Sequence, residues 1–134
     1  MKAITATLLL LFGTLSAAEP PVDFARQIKP IFADRCIMCH NSQTLLGELN
    51  LQNRELAMKK RKNGPVIVPN DPEKSPLYLT LTLPPSERKA MPATAHRLPK
   101  DEIKFIRRWI EEGAKWPSGK DGAIEARPAS PNGR

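Results

Sequence analysis

Cys36 and Cys39 stand two residues apart with His40 directly after them, and they are the only cysteines in 134 residues. Two thiols at this spacing can add to the two vinyl groups of haem, fixing the macrocycle through thioether bonds. The adjacent imidazole is then delivered to one face of the iron. Cys36-Ile37-Met38-Cys39-His40 therefore predicts one covalently attached haem c, with Cys36 and Cys39 as thioether donors and His40 as the proximal iron ligand. Candidates for the second axial position are Met91, His96 and Met58, because Met38 is pinned inside the attachment loop. A thioether is a soft ligand suited to ferrous iron, and a His/Met pair raises the reduction potential. Pro92 would stiffen the loop that presents Met91. His96 reads equally as a hydrogen-bond donor at the surface or near a haem propionate, or as an ordinary structural histidine.

Three other chemistries could use the same residues. A thioredoxin-like redox pair belongs in a βαβ setting, whereas the residues before Cys36 follow a helical pattern. A zinc site would have to recruit His96 to Cys36, Cys39 and His40, which departs from the usual separated Cys and His pairs. A structural disulfide would close only a tiny loop, contribute little chain-entropy stabilisation, and leave His40 without a role.

The elements that must position these residues read as helices joined by breaker-rich loops. Asp23 can cap a helix in which Phe24, Ile28, Ile31 and Phe32 form an apolar stripe leading into Cys36. Pro30 lies inside that pattern and removes a backbone donor, so a kink or two short helices meeting near Lys29 is expected. Gly47 to Leu51 alternates like a short strand or an extended loop that packs leucines on the haem edge. Asn53 to Lys60 reads as a short helix, and Lys59-Lys60-Arg61-Lys62 as its solvated end. Asn63-Gly64-Pro65, Pro69-Asn70-Asp71-Pro72 and Pro84-Pro85-Ser86 are turn signals. Ser75-Pro76 offers a cap and first-turn proline for a helix through Leu81. From Lys100 to about Glu112, Ile103, Ile106 and Ile110 share a face widened by Phe105 and Trp109, and Gly113 is a natural stop.

Length allows one domain. Residues 1–18 read as a secretory signal peptide: Lys2 gives the positive start, Leu8 to Phe12 the apolar centre, and Ser16-Ala17-Ala18 the cleavage site. The apolar stretch is shorter than the roughly 20 residues needed to span a bilayer, so no stable membrane span is expected in the mature chain. That address is periplasmic or otherwise extracytoplasmic. Beyond the leader the aromatic residues are only Phe24, Phe32, Tyr78, Phe105, Trp109 and Trp116, while the chain contains 14 prolines. So thin a core suggests stabilisation by a bound group. Residues 118–134, rich in Pro, Gly, Ser and charge, read as a disordered tail, which leaves 19–117 as the folded domain. The formal charge of +7 favours an acidic partner protein. Nucleic acid fits poorly, since no recognition motif appears.

Taken together, several segments resemble the planctomycete-type cytochrome c domain. They are Val22-Asp23-Phe24-Ala25, Gly64 to Pro69, Asp71 to Leu77, Met91-Pro92, His96-Arg97-Leu98, and Arg108-Trp109-Ile110 through Trp116-Pro117. The resemblance spans Val22 to Pro117 in the family's order. It implies an all-α, cytochrome c-like fold with long Pro-rich loops, wrapped around one haem, with Met91 on the far side of the iron. Where the family commonly has a second proline after Met-Pro this chain has Ala93, and Leu98 replaces the usual Thr before the last helix. With both axial positions filled, the expected task is carrying single electrons rather than catalysis. A peroxidase-like or gas-binding protein with a labile distal ligand, or a haem subunit of a larger exported oxidoreductase, are the alternatives.

Overall fold

The structure, a computed structural model, describes residues 18–126 and contains no strand among them. It is all-α, as the family resemblance implies. Residues 1–17, and with them nearly all of the expected signal peptide, lie outside the described residues, as do 127–134. Among the described residues, no helix is long and apolar enough to cross a membrane.

The first helical stretch divides at Lys29. Asp23 caps it, its carboxylate accepting the Arg26 N–H at 3.1 Å. Phe24–Ile28 then forms a wide π-type turn in which the Lys29 N–H reaches back to the Phe24 carbonyl. Helix α1, Lys29–Arg35, follows with Pro30 in its first turn. Proline has no N–H to return to Arg26, so the helical register changes where that bond would have been. Phe24, Ile28, Ile31 and Phe32 are buried, so the predicted stripe faces the core despite the break.

Gly47 to Leu51 is not a strand. Leu46–Glu48 is a single tight turn, with Leu45, Gly47 and Glu48 all at positive φ, and the chain then runs extended through buried Leu49, Asn50 and Leu51. The Leu51 N–H finds the His40 carbonyl at 2.8 Å rather than a neighbouring strand. Helix α2, Arg54–Ala57, is capped by Asn53 and stops short of Lys60, where four consecutive cations repel one another. Helix α3, Pro76–Thr82, starts after Ser75, but the serine does not cap it. Its fully buried hydroxyl accepts the Val68 N–H at 2.8 Å and donates to the Asp71 carbonyl at 2.9 Å, tying the proline-rich loop to the helix start.

Helix α4, Lys100–Glu111, buries Ile106, Trp109 and Ile110. It ends on Gly113, at φ +94. The Gly113 N–H returns to Ile110 at 3.0 Å and the Ala114 N–H to Trp109 at 2.7 Å, the paired closure that needs a left-handed residue. The scarce aromatics are concentrated: Phe24, Phe32, Trp109 and Trp116 form one cluster with centroid separations of 4.9 to 6.0 Å. Such rings gain from their mutual geometry as well as from burial.

The expectation of a disordered tail from residue 118 does not hold for its first nine residues. Gly119–Gly122 is a short helix, α5. The Trp116 indole N–H donates to the Gly122 carbonyl at 2.8 Å, and Lys29 Nζ to the Asp121 carbonyl at 3.1 Å. Ile124 is 1% exposed, and its N–H reaches the Gln52 carbonyl at 2.7 Å. A Cβ on Gly122 would stand 1.7 Å from the Pro117 oxygen, so this closure requires glycine. Composition pointed to a tail; one buried isoleucine and one glycine fold it back.

Between α4 and α1, Glu102 lies 3.6 Å from Arg35 Nε, with its Oε2 buried and without a hydrogen-bond partner. Burial, opposed by Arg35, raises its pKa above the usual carboxylate value. A raised folded pKa for an acid means that stability is lost as pH rises through the carboxylate range. Glu102→Gln is therefore expected to match the wild type below that range and exceed it at neutral pH, by no more than about 1 kcal/mol. Urea melts at the two pH values check this.

Candidate haem-attachment site

The pentapeptide turns off the end of α1. Cys36 and Ile37 both donate to the Phe32 carbonyl, at 3.1 and 2.9 Å, and Cys39 and His40 both donate to the Cys36 carbonyl, at 3.2 and 3.1 Å. Ile37 is buried and Met38 is 67% exposed, so the turn is anchored on one side and open on the other. Asn41 locks it, its amide donating to the Ile37 carbonyl at 2.7 Å while its oxygen accepts the N–H groups of Gln43 and Thr44.

Both cysteines are free thiols. Cys36 is half-buried, and desolvation, reinforced by the carboxylate of Glu102, pushes its thiol up to about 12. Cys39 is exposed. His40 Nδ1 lies 2.9 Å from the Leu46 carbonyl. A carbonyl only accepts, so Nδ1 carries the proton and Nε2 keeps its lone pair. Burial holds the imidazole below its ordinary pKa, which favours the neutral, ligating form.

Leu46 completes the frame, since its own N–H donates to the Cys39 carbonyl at 3.1 Å. Beside the two cysteines and His40, Met38, Leu45 and Leu46 present exposed apolar side chains, a surface that gains from being covered. Two unlinked thiols, an imidazole held through Nδ1 by the Leu46 carbonyl and an adjacent apolar surface form a donor set that fits haem c.

Of the candidate distal ligands, Met91 and Met58 are both half-buried at the margin of the core, as is Cys36. The Met91 N–H is held by the Thr80 carbonyl of α3 at 2.9 Å, and Met58 sits at the end of α2. His96 is exposed. Among the described residues, no group of three or more His, Cys, Asp or Glu gathers to hold a metal ion.

Two residues escaped the sequence reading. Arg97 donates to three backbone carbonyls around the Met91 loop, and Arg61 donates to the Gly47 carbonyl at 3.0 Å, bracing the turn beside His40. Arg97 was visible only as part of a family motif, and Arg61 only as one cation in a run of four.

A helical domain that presents Cys-x-x-Cys-His from a helix end, with the imidazole oriented by a backbone carbonyl, has the makings of a c-type cytochrome domain. Residues 36–93 match the family described as Planctomycete cytochrome C. That match begins on Cys36 and takes in His40, Met58 and Met91, and it bears out the resemblance read from the sequence. No curated protein and no solved structure matches the chain.

Proposed function

We propose that this chain is an exported, single-haem c-type cytochrome that carries single electrons between redox partners. The observation that carries the reading is the 2.9 Å contact from His40 Nδ1 to the Leu46 carbonyl, which orients Nε2 for an axial bond within a pentapeptide whose thiols are both free. Haem c, when attached, supplies a one-electron couple at iron. Cys36 and Cys39 hold it covalently, His40 is the proximal ligand, and Met91 fills the distal position. Met91 and Met58 are equally half-buried, so the choice of Met91 rests on the family resemblance.

The reading includes a leader over residues 1–18, a periplasmic or otherwise extracytoplasmic address, and a helical domain wrapped around the haem. Exposed Lys59, Lys60 and Lys62 flank Arg61, which reaches the turn beside His40. This places positive charge next to the attachment turn and suits an acidic redox partner.

Met91 is the point on which carrier and enzyme divide. The ferric protein is expected to show a weak far-red sulfur-to-iron charge-transfer band, and the ferrous protein to resist carbon monoxide. Met91→Ala should erase the band, open the iron to carbon monoxide and lower the reduction potential, while His96→Ala should do none of these. Ready carbon monoxide binding by the wild type would favour a ligand-binding haem protein instead.

A further inference from the structure

Residues 84–89 and 93–96 are exposed, and between their buried or half-buried contacts at Ala90, Met91 and Pro92 they have little core to rest on. The two arms of this loop enclose a cleft of about 430 Å³ instead of packing on each other. Its fastening is polar. The Met91 N–H bonds to the Thr80 carbonyl at 2.9 Å. The Arg97 guanidinium donates through Nη1 to the Pro92 carbonyl and through Nη2 to the carbonyls of Leu81 and Leu83, each at 3.1 Å. Leu81 and Leu83 lie at the end of α3, where carbonyls have no intrahelical partner and a cation is favoured. One half-buried guanidinium thus joins the end of a helix to the residue after Met91.

We infer that Arg97 is a positioning residue, whose clamp on the carbonyls of Leu81, Leu83 and Pro92 sets how firmly Met91 is held on the iron. This rests on Met91 being the distal ligand. A flat, forked donor is needed to serve three carbonyls, so lysine cannot replace it.

The experiment compares wild type, Arg97→Lys, Arg97→Gln and Met91→Ala, each with haem attached. Both Arg97 variants should keep the far-red band at neutral pH, lose it at lower pH than the wild type during an alkaline titration, and bind carbon monoxide roughly tenfold or more faster, the scale of losing one charge-assisted hydrogen bond. Band stability and carbon monoxide rates equal to wild type would overturn the proposal. So would faster tryptic cleavage after Arg88 with no change in either readout, because the clamp would then be purely structural. If the wild type lacks the band and Met91→Ala changes nothing, the Met91 assignment falls and the role of Arg97 falls with it; a band erased by Met91→Ala, with both Arg97 variants matching the wild type in the alkaline titration and in carbon monoxide rate, removes only Arg97.

Discussion

A variant carrying both Cys36→Ala and Cys39→Ala is expected to leave no haem-stained band on a denaturing gel, where the wild type stains fully. Only thioether bonds survive denaturation, and these are the only cysteines in the chain. The fold need not collapse for the stain to vanish. Cys36 lies at the margin of the core and Cys39 is exposed, so two alanines remove little packing. Circular dichroism of the same sample separates loss of attachment from loss of structure. Staining of the double variant at the wild-type level would remove the covalent site altogether.

Trp109→Ala should have the largest effect on stability. Trp109 is 1% exposed, touches the rings of Phe24, Phe32 and Trp116, and donates its indole N–H to the Lys115 carbonyl at 2.8 Å. Truncating a buried aromatic costs about 3–5 kcal/mol, a large share of the roughly 5–15 kcal/mol that holds a domain together. Urea denaturation should show the midpoint collapsing, while Phe105→Ala, at a half-buried position, should lose much less. A loss below about 1 kcal/mol for Trp109→Ala would mean that the ring cluster is not the centre of the core.

What could be read in the sequence was what is local. The helix break near Lys29 follows from Pro30, and the end of α4 follows from Gly113, each through the geometry of one residue. The attachment pentapeptide is equally local, its chemistry contained in five positions. What could not be read depends on pairs distant along the chain. Ile124 against Gln52, and Arg97 against the end of α3, have no periodicity to announce them. The choice between Met58 and Met91 is of the same kind, because both are thioethers at the margin of one core, and only the family resemblance favours Met91. Ser75 misled for a different reason: a serine before Pro76 is a good cap, but the loop's own carbonyl and N–H groups claimed the hydroxyl first.

The fold-back of the C-terminal segment bears on timing. Synthesis runs from the amino end, so Cys36 and Cys39 emerge well before Trp116, Gly122 and Ile124, the residues that close over the first helix and reach the Gln52 carbonyl. In the closed chain the Cys36 thiol is desolvated and held protonated, a poor state for bond formation. A folded polypeptide offered haem is therefore expected to take it up slowly at Cys36 and more readily at exposed Cys39.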